Sequence, residues 1–458
     1  MSVAPVPPAE SAHSAHSAHS TESAESAESA ESAESVYDRT RLRQWRRGRA
    51  RSAGIERRDL LRLFAAASTA GPLTAAAPGN ARAASPTTPS PAAPAVPVAA
   101  PGIVKPLPSE VFSIRGTNAE TNFAALRTTG PYTPAGHFFV RNHTVTPRID
   151  AAAWTLTIWG SGLRGGPVDF GYDELRALPS VTRTAFIECA GNGRSYYATQ
   201  QNQQVSGTAW TLGAIGVGRW RGVRLAEVLR RAGLSPDAVD ILPRGLDDEV
   251  ISEGTNLGRV RRPLPVAKAL DDVLLAYELN GEPLPPDHGY PVRLIVPSWV
   301  GIANIKWLGD IEVSTEPLYS PWNTTLYRLF GAGYPPEGSA PLTRQTLKSA
   351  FELADGATVA AHRPRVLTGR SWSGGAPVRS VEISTDGGTR WRRARLHDAP
   401  RRGSWVRWSA DWTPGGPGPA VLLARATDDS GRVQPEVAVH NTQGYLFDAV
   451  VRHRVTVV

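Results

Sequence analysis

A single cysteine, Cys189, stands in a chain of 458 residues, and it limits the possible folds more than any other feature. An internal disulfide is excluded. So are cysteine-rich structural zinc sites, cysteine-ligated iron–sulfur clusters and the CxxCH attachment of c-type haem. Every domain must therefore hold by packing. The apolar fraction of 41% and charged fraction of 20% are those of a globular protein, so enough core-forming material is present. The formal charge of +8 (50 Lys+Arg against 42 Asp+Glu) is mildly basic for this length.

The first hundred residues lack core material. Residues 11–35 are a three-residue repeat, SAH then ESA, without apolar periodicity, and read as disordered. His13, His16 and His19 recur every third position, which low complexity explains better than metal binding. A basic run then ends in Arg57-Arg58, followed by a weakly apolar stretch from Leu63 to Ala77 and Ala-Arg-Ala at 81–83. That order is the order of a secretory signal, and the adjacent arginines resemble the twin-arginine type. The expected organisation is a tail plus signal over 1–84 and a stiff Pro/Ala-rich linker over 85–105. An exported, periplasmic or otherwise extracytoplasmic protein follows. No stretch reaches the ~18–20 apolar residues of a membrane span, so no integral span is expected in the mature chain.

Two folded parts follow. Over 106–335 strand and helix signals are mixed. Trp154 to Trp159 alternates at period two, Tyr172 to Leu178 and Leu225 to Ala232 have helical spacing, and Val292 to Val296 is a strand closed by Pro297. The signals do not alternate regularly and no Gly-rich strand–turn–helix fingerprint occurs, so the fold class is α+β rather than doubly wound. Over 336–458 short apolar runs are punctuated by Gly/Pro/Asp turns, and Val450 to Val458 reads as a terminal strand. This predicts an immunoglobulin-like β-sandwich without its disulfide.

Cys189 lies in Glu188-Cys-Ala-Gly-Asn-Gly-Arg194, where an apolar strand runs into a Gly-rich turn. Backbone N–H groups and the cation Arg194 at such a turn favour a thiolate, which is a good metal or cofactor ligand. A small buried hydrophobe and a nucleophile served by His143 or His288 are the competing readings. A separate pattern, Trp391 to Trp408, interleaves aromatics with arginines. It suits an anionic polymer, or equally a strand with one apolar and one cationic face. Export argues against nucleic acid.

Five strings occur together: Phe138-Phe-Val-Arg-Asn-His143, Glu188 to Arg194, Asn280-Gly-Glu-Pro-Leu284, His288-Gly-Tyr-Pro-Val-Arg293 and Ile305-Lys-Trp-Leu308. In order and spacing they resemble the sulfite oxidase family of molybdenum enzymes. Val381 to Gly388 and Ala424 to Asp428 resemble that family's C-terminal dimerisation domain. The resemblance implies a Mo-molybdopterin cofactor with Cys189 as the one protein ligand to the metal. It implies cofactor contacts from Phe139, His143, Asp247, His288, Arg293 and Lys306. It implies a substrate pocket of Arg141, Arg194, Trp210 and Tyr327, and a homodimer. The expected reaction transfers oxygen to sulfite or a related small sulfur anion and releases two electrons. The chain has no haem or iron–sulfur motif, so no haem is expected and an external acceptor, a redox protein or oxygen, must take them. Reduction of a sulfoxide or nitrate is the close variant. One departure stands out: the family's Asn-x-Arg-Gly segment reads Asn441-Thr-Gln443-Gly444 here, so a cation expected at the pocket is replaced by a neutral amide.

Overall fold

Period-two alternation builds the first of two five-stranded sheets in the N-terminal part. In the strand Thr155–Trp159, Leu156 and Ile158 are fully buried while Thr155 is exposed. It lies parallel to Leu308–Ser314 and antiparallel to Val168–Gly171. The sheet continues from Leu308–Ser314 through Asp240–Gly245 to Leu264–Pro265, both antiparallel steps. This computed structural model describes residues 102–458. The low-complexity tail, the expected export signal and the Pro/Ala-rich stretch through Pro101 lie outside the described residues.

The second sheet carries the chemistry. Ser180–Glu188 pairs antiparallel with Ile215–Arg224, which pairs with Leu274–Leu279. Glu282–Pro283 and Arg293–Ile295 both add to Leu274–Leu279. Short helices cover the sheets. In Leu225–Arg231 the buried side chains are Leu225, Val228 and Leu229, an i, i+3, i+4 stripe, and Glu227 pairs with Arg231 on the exposed face. The stripe joins Leu156, Ile158, Leu275, Ile311 and Val313 in one apolar core. With its single parallel pair among antiparallel ones, this part is α+β, as the mixed signals imply.

Residues from Lys348 onward form a sandwich. One sheet runs Lys348–Phe351, Arg365–Trp372, Trp405–Trp412, Arg395–Leu396. The other runs Ala357–Val359, His453–Val457, Gly418–Asp428, Val378–Ser384, Arg392–Arg393. Leu367, Val381, Ile383, Trp408, Leu422 and Val455 fill the space between them, so packing replaces the disulfide. Trp405 and Trp408 are buried and Arg407 is paired with Asp398 at 2.8 Å. The arginine–tryptophan interleaving is thus core and solvated edge. The last strand begins at His453 rather than Val450. Val451 packs instead in a further apolar core, with Phe186, Tyr197 and Ile215 of the first part and Trp372, Trp405 and Phe447 of the second. The two parts therefore share a continuous apolar seam.

Residues 102–105 are held by the fold rather than running free as a simple linker. The backbone N–H groups of Val104 and Lys105 donate to the buried Asp287 carboxylate (3.0 and 2.7 Å), which also accepts from Thr146 Oγ1 at 2.6 Å. A buried carboxylate needs such donors, and that need orders residues 102–105. Among the described residues no helix is long and apolar enough to cross a membrane.

Candidate active site

The strand Ser180–Glu188 ends one residue before Cys189, which is 8% exposed. Cys189 N–H donates to Ala214 O (2.9 Å), and Asn192 N–H donates back to Cys189 O (2.9 Å), closing the turn. The fully buried Asn192 staples it: its Oδ1 accepts from Ala214 N–H and its Nδ2 donates to Glu188 Oε1, both at 2.9 Å. The thiol is thus fixed at the wall of two cavities.

The larger cavity, about 730 Å³, is lined by Phe139, Arg141, His143, Cys189, Asp247, His288, Arg293, Lys306 and Tyr327 among others. Its chemistry is cationic. Arg293 Nη1 donates to His288 O (2.8 Å) and Nη2 to Asn304 O (3.1 Å). Lys306 Nζ donates to Asp287 O (2.9 Å) and to Asn142 Oδ1. Gly289 (φ +105°) brings the His288 turn against this pair, since a Cβ there would meet Arg293 Cβ at 2.9 Å and Lys306 Cβ at 3.2 Å. Lys105, outside the predicted set, completes the cluster with Nζ 3.4 Å from His288 Nε2. Burial strains these charges. Desolvation, then the neighbouring cations, holds His143, His288 and Lys306 well below their usual ranges. Burial lowers Arg293 to about 9 and Lys105 to about 7, the latter against the pull of Asp287. Desolvation raises Asp247 to about 6 despite Lys306.

The smaller cavity, about 480 Å³, is lined by Arg141, Cys189, Arg194, Trp210, Tyr327, Gln443 and Tyr445 with Ser206, Gly207 and Thr208. Arg194 is clamped: Nε donates to Gln443 O (2.8 Å), Nη1 to Thr208 O (3.0 Å), and the guanidinium lies 5.2 Å from the centre of the Tyr445 ring. Gly207 permits that approach, because a Cβ there would fall 2.8 Å from the guanidinium. Tyr327 has φ +54°, a conformation rare for a tyrosine, and its ring stacks on Tyr445 at 5.1 Å. Burial raises both phenols, so they remain protonated donors. Gln443 donates through Nε2 to Thr325 O at 3.3 Å.

All eleven predicted site residues thus line these two cavities, and Arg141, Cys189 and Tyr327 line both. Sequence reasoning missed Lys105, Asn142, Asp287 and Tyr445. Asn142 and Asp287 sit beside quoted site residues and Tyr445 follows Gly444, so adjacency was the only available signal. Lys105 had none.

The donor set fits the cofactor that the motifs suggest. The larger cavity crowds Arg141, Arg293 and Lys306 with only Asp247 and Asp287 opposing, and Lys105 stands behind His288. Asn304 Nδ2, a further donor on its wall, is buried without a partner. Such a cradle calls for a multiply charged anion such as a phosphate. Among the described residues no group of three His, Cys, Asp or Glu could hold a metal, so Cys189 is not part of a site of that kind.

Comparison with known proteins agrees. Residues 143–322 match the family described as the oxidoreductase molybdopterin binding domain, and 350–458 match the Mo-co oxidoreductase dimerisation domain. The chain is 36% identical over 367 residues to mitochondrial sulfite oxidase of Homo sapiens, spanning 76% of this chain and 65% of that protein. It is 33% identical over 340 residues to sulfite oxidase of Gallus gallus, spanning 69% of this chain and 71% of that one. The crystal structure of the sulfane dehydrogenase SoxCD from Paracoccus pantotrophus superposes with a TM-score of 0.62 at 28% identity, over 74% of this chain and 84% of that one. Fold and site together are those of a molybdopterin-binding oxidoreductase domain joined to its dimerisation domain. The chain belongs to the sulfite oxidase family.

Proposed function

We propose that the protein is an exported, homodimeric molybdenum enzyme that oxidises sulfite or a related small sulfur compound. The overall change adds water oxygen to the substrate and releases two protons and two electrons to an external acceptor. The observation that carries this reading is the meeting of two cavities at Cys189, one suited to a phosphate-bearing cofactor and one suited to a small anion. When bound, molybdopterin supplies a metal that undergoes a two-electron redox change.

The chain's own residues do the rest. Arg293 and Lys306 hold the anionic cofactor as desolvated cations whose mutual repulsion its binding relieves, and His143 and His288, kept neutral by burial, act as hydrogen-bonding groups. Arg141 and Arg194 orient an anionic substrate beside the thiol, and the clamp on Arg194 spares its ordering at each turnover. Tyr327 and Tyr445 offer protonated hydroxyls to substrate oxygens. The similarity to sulfite oxidases and to a sulfane dehydrogenase supports a sulfur substrate. The match to a dimerisation domain supports a homodimer.

The test is a substrate panel on molybdenum-loaded enzyme: sulfite, thiosulfate, nitrate and sulfoxides, with artificial acceptors or donors. Oxidation of a sulfur anion is expected. Turnover of nitrate or a sulfoxide alone would replace this reading with a reductase.

A further inference from the structure

Glu188 precedes the metal-binding cysteine, is fully buried, and lines neither cavity. Its side chain is directed at the sandwich, where Lys348 and Trp372 lie. Its Oε1 accepts from Lys348 Nζ at 2.6 Å and Asn192 Nδ2 at 2.9 Å, and its Oε2 accepts from Trp372 Nε1 at 3.0 Å. Its backbone carbonyl accepts from Gln345 Nε2 at 2.5 Å. Lys348 and Trp372 are direct cross-strand partners at the edge of the sandwich, and Lys348 is itself 1% exposed. The backbone has no slack on the other side, since a Cβ on Gly301 would fall 2.7 Å from Glu188 O.

We infer that Glu188, Lys348 and Trp372 are positioning residues for Cys189, so that the β-sandwich sets the geometry of the metal site across the domain boundary. This rests on the reading of Cys189 as the molybdenum ligand. A buried ion pair is a poor source of stability, because desolvation offsets most of the attraction. It is an effective source of fixed geometry when both carboxylate oxygens are hydrogen-bonded, as here. Asn192 ties the carboxylate to the turn that carries the thiol, so a shift of the Lys348–Trp372 pair reaches Cys189 through two hydrogen bonds. Outer partners of a metal ligand typically change affinity or activity 10–100-fold.

The test uses the full-length, cofactor-loaded protein as Glu188→Gln, Lys348→Met, the double variant and Trp372→Phe, with Cys189→Ser as reference. Molybdenum content, the Mo(V) electron paramagnetic resonance signal, melting temperature, kcat and KM are measured. Expected for the single variants are a molybdenum content several-fold lower, a shifted or heterogeneous signal and kcat down about tenfold with KM little changed. The double variant, which leaves no uncompensated buried charge, should recover part of the content and the signal. Trp372→Phe removes one hydrogen bond and no charge, so it reports even if the charge variants fail to fold, and its signal should move in the same direction. A lower melting temperature with parental content, signal and kcat in Glu188→Gln and Trp372→Phe would overturn the positioning role alone. A parental signal in Cys189→Ser would overturn the ligand assignment and the positioning role with it.

Discussion

Gln443→Arg is the most informative change to the substrate cavity. Gln443 is 2% exposed, and its backbone carbonyl and side-chain amide join Arg194 to Thr325. A guanidinium can still donate to Thr325 O, and the substitution removes Gln443 Oε1, which is buried without a partner, so the fold should survive. A cation about 5 Å from a substrate charge gains ~3 kcal/mol per unit charge at an effective dielectric of 20. Losing one partner of a desolvated charge pair costs about 2–5 kcal/mol in comparable sites. Hydration of the cavity lowers this to roughly 1.4–2.8 kcal/mol, or one to two decades. The KM for sulfite should therefore be high in the native enzyme and fall 10- to 100-fold in the variant, with kcat changed less because Cys189 and Tyr327 are untouched. The gain should shrink at high salt. Repulsion among the new guanidinium, Arg141 and Arg194 acts before substrate binds, so it appears as a lower melting temperature that sulfite restores. Steady-state kinetics at two ionic strengths, with thermal melts, measure both effects. An unchanged KM would refute the reasoning, and the cavity would then belong to a less charged substrate such as a sulfoxide or carrier-bound sulfur.

Other expectations are independent of that residue. Cys189→Ser should abolish turnover while circular dichroism and melting stay near parental, because a hydroxyl is a far poorer ligand than a thiolate for this metal; native-like activity would dispose of the molybdenum reading. Replacing Arg57 and Arg58 by Lys should trap the precursor in the cytoplasm, and unchanged export in a fractionation assay would point to the general secretory route. Light scattering at micromolar concentration should give the mass of a dimer, and a monomer would count against pairing through the sandwich. The apoprotein should gain about 1–2 kcal/mol between pH 7 and 9 from Lys105: its folded pKa of about 7 lies below the unfolded 10.5, so the unfolded chain binds more protons across that window and stability rises with pH. Denaturant melts of Lys105→Met should lack this increment, and an equal slope in both proteins would exclude Lys105 as its source.

Legibility in the sequence followed the range of each interaction. Local periodicity announced the strand Thr155–Trp159 and the helices Tyr172–Ala177 and Leu225–Arg231, because one buried face decides each of them. It misread Val450 and Val451, whose apolarity serves the seam between the two parts rather than the last strand. The same distinction runs through the site. The residues that carry charge into the cavities lie in short motifs and could be named one by one from resemblance. Those that hold the motifs in place could not. Lys348 reaches Glu188 across 160 residues, Trp372 across 184, and the Asp287 carboxylate is satisfied by backbone at Val104 and Lys105, more than 180 residues away. A lysine opening an outer strand looks solvated, and a tryptophan closing one looks like core. Their hydrogen-bonding groups acquire a purpose only when the fold buries Glu188, since a buried carboxylate must find its donors wherever the packing brings them. On this view the motif around Cys189 specifies which atom meets the cofactor, and the second domain specifies where that atom stands.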